Sequence, residues 1–245
     1  MRTMQDLTQE EINALPDNHP WKHVGKFSFG GMDFEANDEI VAEHEARERE
    51  QRIKVKTERL ESHYVSDSGV PARYHLESLD TYQCYTPELM RIMKTVTSFA
   101  ENPANKTLIL CGGNGVGKTH LACGVIRKCG GLYRTVQRLM FEADGTMSFK
   151  ATETKVQLLD RMGTAPMLVL DEIGRGAQVE RQQELVQYVL DLRYCELKPT
   201  VLVSNLSKAD LIKWLGQSIK DRLNETCIFV EVQGESYRTR KRNTA

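Results

Sequence analysis

The sequence predicts an α/β protein whose main domain has a parallel β-sheet covered by helices on both faces. Two observations predict this class. From residue 70 onward, short apolar runs alternate with amphipathic stretches, and strands that are buried on both faces read as continuous apolar runs. In addition, a glycine-rich segment at residues 112–119 directly follows one apolar run and opens a helical stretch. Strand, loop and helix in this order form the repeating unit of a parallel sheet.

Five apolar runs are predicted to be the strands of this sheet. They span residues 106–111, 132–136, 167–170, 200–203 and 228–232. The predicted helices have apolar residues at helical spacing or lie between recognisable start and stop residues. The clearest of them span residues 87–99, 120–129, 178–195 and 207–215.

The N-terminal part of the chain differs in composition from this regular pattern. Residues 1–35 combine polar turn formers with glycine and aromatic residues, which fits a small segment that is folded alone or ordered by a partner. Residues 37–63 are almost wholly charged and contain no helix breaker, so they predict a long solvated helix. That helix is either a spacer or a docking helix for a partner protein.

Turn-forming residues at 66–71 mark a domain boundary. The sequence therefore predicts a small, mainly helical N-terminal region at residues 1–65, which we assign to partner binding. The main α/β domain is predicted at residues 66–238, and a short basic tail follows at 239–245.

The glycine-rich segment matches the pattern G-x-x-x-x-G-K-[ST], which binds nucleotide phosphates. Its glycines allow successive backbone N–H groups to point at one anion, and the helix that follows adds its N-terminal dipole. Lys118 is predicted to reach the β- and γ-phosphates of ATP, and the hydroxyl of Thr119 to ligate Mg²⁺. The predicted nucleotide-binding residues are Gly112, Gly113, Asn114, Gly115, Val116, Gly117, Lys118, Thr119 and His120.

Two acidic residues follow the third predicted strand. Asp171 at the strand end is placed to hold the water shell of Mg²⁺ together with Thr119, and Glu172 to orient and deprotonate the attacking water. Small-molecule kinases often lack an acid in the second position, because a water-activating base would waste ATP. The pair therefore favours hydrolysis.

Composition limits the other function classes. The formal net charge of the 245-residue chain is −1, so nucleic-acid contacts require a local basic patch. The six cysteines include no C-x-x-C pair, and a zinc site is not expected. The N-terminus has no apolar core of a signal peptide, and no stretch approaches the roughly 18 apolar residues of a membrane span. We expect a cytoplasmic protein without membrane contacts.

Further motifs follow the acidic pair in a fixed order. Asn205 comes directly after the fourth strand, Arg222 lies in a Asp-Arg-Leu triplet, and Arg238 ends a Gly-Glu-Ser-Tyr-Arg motif. Together with GxxxxGKTHLA and LVLDEIG, this order resembles the DnaC and IstB family of AAA+ ATPases, which are helicase loaders and transposition helpers. The resemblance runs from about Val70 to Arg238. It implies the P-loop NTPase (AAA+) fold with a five-stranded parallel sheet.

The resemblance also implies roles for these residues. Asn205 becomes the first sensor of the γ-phosphate, Arg222 the arginine finger that reaches the ATP of a neighbouring subunit, and Arg238 the second sensor. Self-association through the AAA+ interface follows from these roles. Loaders can carry another arginine four residues before the finger, where this chain has Ser218.

Family loaders also insert a kinked helical element after the second strand that contacts single-stranded DNA, and residues 138–160 occupy that position. Phe149 and Lys150 are the candidate contacts, since an aromatic ring stacks on bases and a cation binds phosphate. Ordinary packing and solvation of this dipeptide is the alternative. The basic tail either contacts phosphates or is disordered.

The sequence thus favours an ATP-dependent loader of a replicative DNA helicase, expected to be hexameric, that also binds single-stranded DNA. A transposition helper that assembles on duplex DNA and recruits a transposase is the first alternative. A non-hydrolysing ATP switch or adaptor is the second. A small-molecule kinase is disfavoured by Glu172 and by the absence of an evident substrate lid.

Overall fold

The computed structural model describes Ala14, Phe27–Phe29, Met32–Phe34, residues 38–234 and Ser236–Tyr237. The chain divides into two compact units, Met1–Arg59 and Leu60–Ala245. Arg238, the predicted second sensor, and the basic tail lie outside the described residues. The division of the chain into functional regions at residue 65 stays a prediction.

The first unit contains a β-hairpin and most of a long helix. Strands β1 (Phe27–Phe29) and β2 (Met32–Phe34) pair antiparallel with Phe29 opposite Met32. The prediction of a mainly helical N-terminal region did not include this hairpin. Helix α1 (Asp38–Ser66) covers the predicted long helix, and residues 46–59 are exposed throughout, as expected for a solvated helix.

The second unit is built on a five-stranded parallel sheet, which confirms the predicted fold class. Its strands lie in the order β4-β5-β6-β3-β7, and each neighbouring pair is parallel. They are β3 (Thr107–Cys111), β4 (Leu132–Thr135), β5 (Leu168–Ile173), β6 (Thr200–Ser204) and β7 (Cys227–Glu231).

Helices cover both faces of this sheet. They are α2 (Pro87–Glu101), α3 (Lys118–Cys129), α4 (Val136–Gly145), α5 (Lys155–Thr164), α6 (Val179–Cys195), α7 (Lys208–Leu215) and α8 (Gln217–Thr226). Along β3 the side chains alternate between two apolar clusters, because successive residues of a strand point to opposite faces. Helices α2 and α3 and the end of α1 cover one face, and α4 to α8 cover the other.

The segment at residues 138–160 differs from the single kinked element that we expected. It consists of most of α4, a non-helical stretch at residues 146–154, and the first part of α5. A capping box starts the second helix: the Thr154 hydroxyl accepts from the Gln157 amide, while the Gln157 side chain accepts from the Thr154 amide. Two separate helices therefore present the intervening turn to solvent.

The parallel topology fixes where a ligand site can form. The carboxyl ends of β3, β5 and β6 meet at one edge of the sheet, and the loops that leave these strands lie side by side there.

A buried arginine, Arg193 of α6, stabilises the chain near the amino ends of β5 and β6. It donates hydrogen bonds to four backbone carbonyls and to the Thr200 hydroxyl. Burial lowers the pKa of this guanidinium to about 9, which still leaves it charged at neutral pH. Within the described part of the chain, no helix is both long and apolar enough to cross a membrane.

Candidate nucleotide-binding site

An open cleft lies at the carboxyl edge of the sheet, where the glycine-rich loop, the end of β5 and the end of β6 meet. Its volume is about 480 Å³, a size typical of small-molecule sites, which span roughly 300–1,000 Å³. Most of the predicted site residues line this cleft: Asn114, Gly115, Val116, Gly117, Lys118, Thr119, His120, Asp171, Glu172 and Asn205.

The loop between β3 and α3 has the backbone conformation of a phosphate cradle. Gly115 and Gly117 have φ values of 80° and 96°, which residues with a side chain rarely adopt. Helix α3 begins directly after Gly117 without a side-chain cap, so the N–H groups of its first turn are left for an anion.

Lys118, the first residue of α3, folds back over this loop. Its Nζ donates to the carbonyl oxygens of Gly112 at 2.8 Å and Gly113 at 2.6 Å. Burial lowers the pKa of the ammonium group, and the nearby carboxylate of Asp171 opposes that shift. A cation that is mostly withdrawn from water interacts strongly with an incoming phosphate.

The two residues that we predicted as magnesium ligands lie in contact. The Thr119 hydroxyl donates to Oδ2 of Asp171 at 2.8 Å, and the backbone amide of Glu172 donates to Oδ1 at 2.6 Å. Asp171 is buried at the bottom of the cleft. A carboxylate and a hydroxyl are hard oxygen ligands, and Mg²⁺ in nucleotide sites is usually held by one or two such groups plus phosphate oxygens. The residues present therefore fit magnesium.

Glu172 stands beside this pair in a strained backbone conformation. Its φ is 59°, which is uncommon for a residue with a long side chain and is often found at functional sites. The side chain is partly exposed to the cleft, and its Oε1 accepts from Nη1 of Arg175 at 2.5 Å. The guanidinium thus occupies one oxygen of the carboxylate that we predicted to act on water.

Asn205 reaches the same cleft from the neighbouring strand. The preceding residue, Ser204, is buried, and its hydroxyl donates to the carbonyl of Ile173 at 2.8 Å and accepts from the Leu206 amide. These bonds fix the chain at the end of β6 and leave the Asn205 side chain exposed. The structure therefore brings Lys118, Thr119, Asp171, Glu172 and Asn205 together.

A segment before α2 forms a further wall of the cleft that sequence reasoning missed. The Tyr82 hydroxyl donates to the carbonyl of Val116 at 3.0 Å, and its ring lies so close to Gly117 that a Cβ there would stand 2.5 Å from it. His120 also faces this segment, with Nε2 2.7 Å from the Ser78 carbonyl and Nδ1 3.4 Å from the Glu77 carboxylate. No motif marks Tyr82, because its partner lies 34 residues away.

Tyr133 on β4 is a further residue that we did not predict at the site. Its hydroxyl donates to Oδ2 of Asp171 at 2.7 Å, so that oxygen accepts from two hydroxyl groups. The sequence showed Tyr133 only as an apolar member of a strand.

Three other predicted residues, Arg222, Phe149 and Lys150, do not line the cleft. Nη1 of Arg222 contacts Asp191 at 2.5 Å and the Ser218 hydroxyl at 2.7 Å, in a region that includes the first residues of β3 and β6. Arg222 therefore lies at the amino edge of the sheet. Phe149 and Lys150 are exposed on the turn between α4 and α5.

Phe149 is fully exposed, so its ring does not pack against the described residues. The solvated state considered for Lys150 agrees with its exposure. Neighbouring apolar side chains on the same two helices and their turn are also exposed: Phe141, Met147 and Val156.

Comparison with known proteins identifies the family to which this chain belongs. Residues 31–245 match the family model described as IstB-like ATP binding protein. The chain belongs to this family. The replicative helicase loader DnaC of Buchnera aphidicola subsp. Acyrthosiphon pisum is 26% identical over 179 residues, which cover 70% of this chain and 73% of that protein. A putative ATP-binding protein of insertion sequence IS21 from Pseudomonas aeruginosa is 27% identical over 162 residues, covering 63% and 61%.

Solved structures agree with this assignment. The crystal structure of the DnaC helicase loader superimposes with a TM-score of 0.59 and 27% identity, covering 66% of this chain and all of that one. The replication initiator DnaA bound to AMPPCP and single-stranded DNA shares the fold, with a TM-score of 0.56 and 18% identity over 68% of this chain and 52% of that chain. This IstB-like protein is a nucleotide-binding P-loop ATPase of the AAA+ class.

Proposed function

We propose that this IstB-like protein is a loader of a replicative DNA helicase that binds Mg²⁺ with ATP, hydrolyses the nucleotide and engages single-stranded DNA. The observation that carries the hydrolytic part is the placement of Thr119, Asp171 and Glu172 around one cleft beside the glycine-rich loop. The similarity to the DnaC loaders over about 70% of the chain supports the helicase as partner.

The residues of the cleft divide the chemistry among them. The loop amides and Lys118 bind and orient the phosphates, whose charge the buried ammonium group offsets. Thr119 and Asp171 would hold Mg²⁺, which neutralises charge that develops on the phosphate oxygens when it is bound. Glu172 orients the attacking water and accepts its proton, and Asn205 lies where it can contact the γ-phosphate.

Two substitutions test this division of roles. Lys118→Ala should abolish or strongly weaken ATP binding, because it removes the cation that the loop places beside the phosphates. Glu172→Gln should retain binding and block turnover, because the amide cannot accept a proton. Nucleotide affinity and phosphate release are measured for both variants. Normal turnover in Glu172→Gln would exclude that residue as the base and favour another water-activating group.

The partner is tested with the full chain. Purified protein is mixed with a hexameric replicative helicase, and delivery of the helicase onto circular single-stranded DNA is measured with ATP present. Delivery by the parent chain and its loss in Lys118→Ala would support the loader function. Binding of duplex DNA and a transposase without helicase delivery would support the alternative, a transposition helper, which the similarity to the IS21 protein favours.

A further inference from the structure

The hydroxyl group of Tyr133 has a position that packing alone does not require. The ring is buried in the apolar cluster between the sheet and α3, with 4% of the residue exposed. A phenylalanine ring would fill the same space. The hydroxyl instead extends 2.7 Å from Oδ2 of Asp171.

The sheet register explains how the two residues meet. On neighbouring parallel strands, Tyr133 pairs with Val169, two residues before Asp171. Because side chains alternate along a strand, all three point to the face that α3 covers. Thr119, on the first turn of α3, approaches the same carboxylate from that helix.

Asp171 therefore has two kinds of hydroxyl donor. Thr119 would be shared between Asp171 and the magnesium ion. The hydroxyl of Tyr133 is buried and, among the described residues, hydrogen-bonds only to the Asp171 carboxylate. A phenol carries its proton at neutral pH, so the Tyr133 hydroxyl is a hydrogen-bond donor to this carboxylate. A hydrogen bond to an ionised group is among the stronger ones in proteins.

We propose that Tyr133 is a positioning residue for magnesium: its hydroxyl fixes the Asp171 carboxylate in the orientation that the metal–nucleotide complex requires. This inference rests on the proposed function, since it assumes that Asp171 helps to hold the ion. Partners that orient metal-binding groups typically contribute about 10- to 100-fold to metal affinity or activity.

Tyr133→Phe removes only the hydroxyl. The test measures the affinity of a fluorescent ADP analogue with EDTA and across a magnesium titration. We expect the affinity in EDTA to stay within about twofold of the parent, and the gain in affinity on adding Mg²⁺ to fall by about tenfold. A purely structural role would instead change affinity equally in both conditions.

Tyr64→Phe is the matched control. Tyr64 is also buried, and its hydroxyl donates at 2.7 Å to the backbone carbonyl of Tyr74. Its loss should leave the magnesium-dependent gain unchanged. In an Asp171→Asn background, Tyr133→Phe should have no further effect on that gain, because the group that it positions is absent.

The outcomes separate this inference from the proposed function. If the parent binds nucleotide equally with and without Mg²⁺, both fail. A parent with a clear magnesium-dependent gain that Tyr133→Phe retains would overturn the role of Tyr133 alone. So would a Tyr133→Phe protein that loses nucleotide binding in EDTA, since the hydroxyl would then serve the fold.

Discussion

At the scale of single residues, the ion pair between Glu172 and Arg175 bears most directly on turnover. The guanidinium contacts Oε1 of Glu172 at 2.5 Å. In the proposed function, that carboxylate turns to the attacking water before it accepts a proton. Both side chains are partly exposed, and exposed pairs contribute about 0.2–1 kcal/mol. Breaking the pair therefore has a bounded effect on the rate.

We expect Arg175→Ala to raise basal phosphate release about two- to fivefold, as release from a pair of that strength allows. ATP affinity should change little. Steady-state phosphate release at saturating ATP measures the effect, and Arg181→Ala, which removes an arginine paired with Asp144 on α4, is the matched control. A lower rate in Arg175→Ala would mean that the guanidinium instead assists the phosphates.

Prediction from sequence worked unevenly for the residues of the cleft. Lys118, Asp171 and Glu172 follow from motifs in which spacing along the chain dictates the chemistry. Tyr82 and Tyr133 reach the site through contacts across 34 and 38 residues, respectively. A tyrosine looks the same in the sequence whether or not its hydroxyl has a partner. Placing Tyr133 required the sheet register, and placing Tyr82 required the packing of the segment before α2 against the glycine-rich loop.

At the scale of elements, the turn between α4 and α5 is the best candidate for a DNA contact. Phe149 is fully exposed, and Lys150 beside it is exposed as well. Leaving a large aromatic ring in water has no benefit for stability, whereas stacking on a base is worth about 1–3 kcal/mol.

We expect Phe149→Ala and Lys150→Ala to weaken single-stranded DNA binding while ATP binding is retained. The loss of Lys150 should flatten the slope of log affinity against log salt by about 0.7, because one phosphate contact is removed. The loss of Phe149 should lower affinity at every salt concentration and keep the slope. Fluorescence anisotropy of a labelled oligonucleotide across a salt series, with ATP present, measures both.

Controls for this experiment come from the same protein. Met147→Ala removes an exposed apolar side chain from the same turn without removing an aromatic ring, and Lys94→Ala removes an exposed cation from α2. Neither should change affinity as much as its counterpart. If Phe149→Ala and Lys150→Ala bind single-stranded DNA as tightly as the parent, the turn does not contact DNA.

Element boundaries were predictable where the pattern was long and capped. The strands and helices around the loop begin and end within a few residues of prediction, because apolar runs, Thr86-Pro87 and Gly130 mark them clearly. The hairpin at β1 and β2 was missed although aromatic residues flank Gly30-Gly31, a pair typical of two-residue turns. The break between α4 and α5 was also missed, although the Thr154 to Gln157 capping box is visible in the sequence.

At the scale of the whole molecule, the cleft and Arg222 lie at opposite edges of the sheet. The cleft lies at the carboxyl ends of the strands, and Arg222 lies near the amino ends of β3 and β6, held by Asp191 and Ser218. Arg222 therefore does not line the cleft of its own chain. An arginine in this position can complete an ATP site only in a neighbouring subunit, which requires a head-to-tail assembly.

We therefore predict that Arg222→Ala binds ATP normally but hydrolyses it poorly, and that adding inactive Lys118→Ala protein restores turnover. In a mixed assembly, some sites pair an intact loop from one variant with an intact arginine from the other. When the two variants are mixed randomly in equal amounts, about one quarter of the interfaces combine an intact loop with an intact arginine. We therefore expect phosphate release to recover to about one quarter of the parent rate. The doubly substituted Lys118→Ala/Arg222→Ala protein is the control, because it supplies no arginine and should rescue nothing. Phosphate release across mixing ratios, in an assembly shown to form by light scattering, measures the effect, and absence of rescue at every ratio would contradict action in trans.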